Sequence, residues 1–252
     1  MNKIISGLLF MMILTSSCKK ETTSNSSVQP GNSSGDSSNV QLFNEAGYGS
    51  SLKPFKDQAW QLPAGIELAE KFHHFMYCAQ LADTPTTTDL KNFKGVPGGL
   101  FILCFTLHNN RNYPITIDFP EELAIVSSSI HSQNGLLIAL GQVIVPPNSS
   151  LTLFAGGFCL NEGRTAPDVY DENGGLLFYE LGPSVVPGPI KEIIDILSTK
   201  NIGFDDVVNA SGTQYDSDKY AKAFVIQKAI WEVTEGEGLS EKTRQDLKAL
   251  SF

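Results

Sequence analysis

The 252-residue chain has no surplus of positive charge: 18 Lys and Arg stand against 27 Asp and Glu, a formal net charge of −9. An acidic balance disfavours nucleic acid and anionic membrane surfaces as partners. Missing too are short motifs of familiar chemistries: there is no HExxH helix, CxxC pair or Walker loop. None of the four histidines, His73, His74, His108 and His131, falls in a nucleophile motif. His73 and His74 are adjacent, so on a helix or a strand they point apart and cannot both ligate one ion with Glu67 and Glu70. The chain has no internal repeat at solenoid periods and no apolar run long enough to cross a bilayer. No metal and no cofactor is expected. An enzyme reading rests only on the acidic loop bearing Glu162, Asp168, Asp171 and Glu172, whose spacing does not match an EF-hand.

What is present begins with an apolar run over 4–14, preceded by Lys3 and followed by small residues up to Cys18. This is the layout of a secretory signal. The ending Thr15-Ser16-Ser17-Cys18 resembles the lipobox of bacterial lipoproteins, whose cysteine is acylated. The resemblance implies a 1–18 lipoprotein signal that is cut so that the acylated Cys18 becomes the first residue of the mature chain, and an exported protein anchored to the bacterial membrane or outer surface. Residues 19–41 are dominated by Ser, Asn, Thr and Gly and bury too little surface to order, so they read as a tether. A flexible chain of that length spans on the order of 25 Å. Apart from Cys18 there remain Cys78, Cys104 and Cys159, an odd number that allows one disulfide and leaves one thiol with another fate.

From Gly99 to Phe158 short hydrophobic runs alternate with turn signals, among them Asn109-Asn110-Arg111-Asn112 and Pro146-Pro147-Asn148. The spacing predicts strands over 99–108, 113–119, 123–128, 136–145 and 150–158, whereas 64–82 is compatible with helix or strand. The expected fold is an immunoglobulin-like antiparallel β-sandwich over 42–158 followed by a helix-rich module over 159–252. In the second part LLFYEL (176–181) reads as a strand. Pro189 opens a helix, Asp216 or Ser217 caps a longer one, and Ser240 caps the last.

The longer helix carries the sharpest signal. Tyr220, Ala223, Phe224, Ile230, Trp231 and Thr234 share one face, and Gln227 sits at its centre. A buried amide without partners costs about 1–3 kcal/mol, so Gln227 is either a structural fastener or a reacting group. Phe158-Cys159-Leu160-Asn161 and Ile226-Gln227-Lys228-Ala229-Ile230, in this order, resemble the paired motifs of thioester domains in bacterial surface adhesins. Ala229-Ile230-Trp231 followed by Thr234-Glu235-Gly236 extends the likeness. The resemblance implies a Cys159–Gln227 thioester and an adhesion or interaction role toward an unidentified surface protein or glycan. Trp231, Asn161 and Arg164 are the candidate ligand contacts. The competing reading is a non-covalent glycan- or protein-binding module with Trp60, Trp231 and tyrosines as platform.

Overall fold

The computed structural model describes residues 45–80, 93–98, 101–212, 214–236 and 238–251. The signal 1–18 with Cys18 and the tether 19–41 lie outside them. Six strands form one closed antiparallel barrel: β1 (Ile66–His74), β2 (Phe101–Asn109), β4 (Glu122–Ser127), β5 (Gly135–Ile138), β7 (Ser150–Cys159) and β8 (Tyr179–Leu181). Their order around the barrel is β1-β2-β7-β5-β4-β8, and the Phe72–Tyr179 pairing of β1 with β8 closes it. β3 (Ile115–Asp118) and β6 (Gln142–Val145) make a separate two-stranded sheet.

This corrects the expected immunoglobulin-like sandwich over 42–158. A sandwich needs two facing sheets, whereas here one sheet curls on itself and fills its lumen with side chains. Phe101, Leu103, Phe105 and Leu107 of β2, Leu153, Ala155 and Cys159 of β7, and Tyr179 of β8 belong to that interior cluster. Alternation with period two reads the same in both folds, because it reports that one face is buried and not what covers it. The closing strand β8 comes from beyond residue 158, so the sheet does not stop there.

Two local readings change as well. The 136–145 run is two strands in different sheets, broken where Ala139 (φ 55°) and Gly141 (φ 72°) adopt left-handed backbone. The ambiguous 64–82 stretch is strand first and helix second, β1 leading into the short α1 (Phe75–Gln80). A Cys78–Cys104 disulfide, with Cα atoms 6.4 Å apart, ties α1 to β2 and leaves Cys159 outside it.

The helices α2 (Gly188–Ser198), α3 (Ser217–Thr234) and α4 (Glu241–Ala249) pack on one another, and α3 also lies against β7. They are not a separate helix-rich module over 159–252, since their core is shared with the outer face of the barrel. Ile190, Ile193, Ile194 and Leu197 of α2 and Ile226, Ala229, Ile230 and Val233 of α3 cluster with Leu136, Ile138, Phe158 and Leu160. Each large apolar side chain so buried stabilises by about 1.5–3 kcal/mol. Asp216 caps α3 by accepting from the Asp218 and Lys219 N–H groups, and Ser240 caps α4 by accepting from Thr243 N–H. α3 is buried on two sides: Trp231 joins the barrel cluster while Ile226, Ala229 and Val233 join the helical one.

Candidate functional site

The site lies where the end of β7 meets the middle of α3. Among the described residues the pairing of β2 with β7 ends at Phe101–Gly157, two residues short of Cys159. On the other side Gly135 of β5 is the register partner of Cys159. The Gln227 side chain completes the ladder. Its Oε1 accepts from the Cys159 N–H at 2.8 Å, and its Nε2 donates to the Cys159 carbonyl at 2.8 Å. One carboxamide thus does for Cys159 what the peptide group of a neighbouring strand does, and the costly buried amide is satisfied at both ends.

The surroundings are dry. Cys159 is 0 % exposed and Gln227 3 %. A crevice lined by Pro97, Gly98, Phe158, Tyr220, Ala223 and Phe224 leads to Gln227 and is too narrow to hold a water molecule. Gly98 makes that wall possible: a Cβ there would lie 1.8 Å from the Gly157 carbonyl oxygen. On the lumen side Cys159 shares its cluster with Phe101, Tyr179 and Trp231. The Tyr179 hydroxyl has no hydrogen-bond partner among the described residues. Burial raises its pKa well above the phenol range, with Cys159 and Asp168 adding to the rise.

The other sequence-picked residues fall differently. The structure brings Cys159 and Gln227 together. Trp231 is buried, with its ring in the barrel cluster and edge-on to Phe224, so it offers no open face to a ligand. Trp60 is half-buried and packs against Phe119 at 5.4 Å. Asn161 is fully buried: its Oδ1 accepts from Asn134 N–H, and its Nδ2 donates to the Gly47 and Gly49 carbonyls. Arg164 donates through Nη1 to the Ser132 carbonyl at 3.4 Å and through Nη2 to the Ser51 carbonyl. Burial lowers its pKa, and Glu235 opposes that shift. Both residues tie loops together, Asn161 fully buried and Arg164 half-buried.

The acidic loop disperses into local roles. Asp171 accepts from the Asn173 and Gly175 N–H groups, Glu172 from the Ser129 hydroxyl, and Asp168 from the Val169 N–H. Among the described residues no three His, Cys, Asp or Glu side chains converge as metal ligands. His73 Nδ1 meets the Leu177 carbonyl at 3.1 Å, while His74 Nδ1 is buried with no partner among the described residues.

Sequence reasoning missed Asn134, which donates to the Gly47 carbonyl at 2.8 Å and supplies the carbonyl that Leu160 N–H donates to. It also missed the Pro97-Gly98 wall of the crevice. A glycine beside a proline signals a turn or a close approach, but not which strand it approaches. No family model, curated protein or solved structure matches the chain.

Proposed function

We propose that the protein is an exported, surface-tethered module that attaches to its partner covalently, through a thioester between Cys159 and Gln227. The observation that carries this reading is the doubly hydrogen-bonded seat of the Gln227 carboxamide on the Cys159 peptide group. In the first step the Cys159 thiolate adds to Gln227 Cδ and negative charge develops on Oε1. The Cys159 N–H already donates to that oxygen at 2.8 Å, the position of an oxyanion-hole donor. The Cδ–Nε2 bond then breaks, and the nitrogen, carrying the proton the thiol gave up, leaves as ammonia.

The thioester is a latent acyl donor. A primary amine on a partner adds to Cδ, an amide forms, and the Cys159 thiol is released. Water in place of the amine would leave a glutamate at 227, and the narrow apolar crevice disfavours that loss. The Cys78–Cys104 disulfide supports an oxidising, extracytoplasmic location. The lipid anchor at Cys18 rests on the lipobox resemblance. The partner class is a surface protein or glycan.

Intact mass decides the matter. The thioester form is one ammonia lighter than the sequence, and methylamine restores more than that loss by forming the amide. Cys159→Ala keeps the full mass and ignores methylamine. A wild-type chain at full sequence mass from fresh, unheated protein sinks the covalent reading. The second reading, a non-covalent binding module, is favoured by the completeness of the same hydrogen bonds, which satisfy Gln227 without any bond to sulfur.

A further inference from the structure

The segment 45–51 crosses the seam at which β7 and α3 meet. Gly49 N–H donates to the Leu160 carbonyl at 3.0 Å, one residue past Cys159. The Gly47 carbonyl accepts from Asn134 Nδ2 at 2.8 Å and from Asn161 Nδ2 at 3.2 Å, and the Gly49 carbonyl accepts from Asn161 Nδ2 at 2.8 Å. The Ser51 carbonyl accepts from Arg164 Nη2. On the α3 side Gly49 is pressed against the helix end: a Cβ would lie 2.0 Å from the Thr234 carbonyl oxygen. Between the two glycines Tyr48 is buried in the cluster that holds Phe158, Leu160, Ile226 and Ile230, the neighbours of Cys159 and Gln227.

We infer that 45–51 is a strap that positions the Cys159–Gln227 pair, so that withdrawing it loosens the end of β7 from α3 and leaves the barrel closed. The reason is topological. Cys159 is the last residue of β7, β2 pairs with β7 no further than Gly157 among the described residues, and β5 begins only at its register partner Gly135. Past that point the chain is held to α3 by the Gln227 amide, the Glu162 N–H bond to Glu235 and the strap. Asn161 is the bracket, since one side chain binds the residue before β5, the exit of β7 and the strap together. The strap sits at the N-terminal edge of the described chain and is followed by exposed Leu52, Lys53 and Pro54, so a cut there would free it from the barrel. The inference rests on the Cys159–Gln227 pairing alone and stands or falls apart from the covalent chemistry.

Gly49→Ala is the direct test, because φ of +54° and the Thr234 carbonyl both reject a side chain while no residue of β7 or α3 changes. Amide hydrogen exchange by mass spectrometry is compared between this variant and the wild-type chain. The expected result is exchange at least about tenfold faster in peptides containing Cys159 and Gln227, with β2 and β4 unchanged. Arg164→Met, which releases the Ser51 carbonyl of the strap together with the Ser132 carbonyl, gives the same local pattern at about threefold and covers the case in which Gly49→Ala does not fold. A local rise in either variant supports the strap. A uniform rise that includes β2 in both, or wild-type rates at Cys159 and Gln227 in both, overturns it. The mass of the same samples reports the thioester separately: a full mass with a local rise sinks the bond and keeps the strap, and a missing ammonia without a rise does the reverse.

Discussion

Gln227 and His74 bring the same difficulty to two regions of the molecule and are treated in opposite ways. Each places a polar ring or amide atom away from water. At the β7–α3 seam, Gln227 finds a donor and an acceptor on one peptide unit. At the β1–α1 junction, His74 Nδ1 has no partner among the described residues, and burial lowers its pKa to about 4, with Asp168 pulling the other way. One group is kept by hydrogen bonding and the other by staying neutral. The contrast teaches that a buried polar residue marks a designed contact only where its partners are specified, and at Gln227 they are.

The largest effect that would break this comparison is the loss of Gln227. Measured against the chain with a free Gln227 amide, Gln227→Leu keeps the shape of the stripe but strands the Cys159 N–H and carbonyl, at about 2 kcal/mol each, so about 4 kcal/mol of stability is expected to go. A denaturant melt measures it. A loss under about 1 kcal/mol would show that the seam is already loose or wet, and that Gln227 is no fastener.

His74 is the next in size, and its sign is fixed by linkage. Its folded pKa of about 4 lies below the ordinary 6.5, so the unfolded chain binds the proton more tightly. Its contribution is therefore whole above pH 6.5 and is lost as pH falls from there toward 4, reaching about 3 kcal/mol at most. His74→Phe should flatten that part of the stability-against-pH curve. An identical slope in the variant would move the acid sensitivity to other groups.

The smallest test sharpens the comparison from the helix end. Asp216→Ala removes the cap of α3, which accepts from two N–H groups, and costs about 1 kcal/mol. The cap is nearly three turns from Gln227, so the intact-mass signature should not change. If the mass shift disappears with the cap, the position of Gln227 depends on the whole helix rather than on the seam.

Much of the local structure was legible in the residues. The strands from Phe101 to Cys159, apart from the break that splits 136–145, the proline-opened α2 and the capped α3 and α4 follow from periodicity and from Pro, Asp and Ser at helix starts, all properties of neighbouring residues. The pairing of Cys159 with Gln227 was accessible only through a motif resemblance, since 68 positions separate them. Trp231 illustrates the limit: its place on the helical face was readable, but whether that face met a ligand or the barrel was not.

The sequence by itself determined most of the extended and helical stretches, though neither the split of 136–145 nor the change from strand to helix within 64–82. It also determined that one polar side chain interrupts an apolar stripe and that the three cysteines besides Cys18 allow one disulfide. Only the tertiary structure decided that the strands close into a barrel, that Cys78 takes Cys104, and that 45–51 straps the seam. The physical reason is the range of the forces. Propensity, capping and alternation act within a few residues. Closure depends on a three-residue strand, β8, pairing with both β1 and β4. The strap depends on Asn134, Asn161 and Gly49 meeting across more than a hundred residues of chain in the case of Asn161, and no local pattern encodes contacts of that separation.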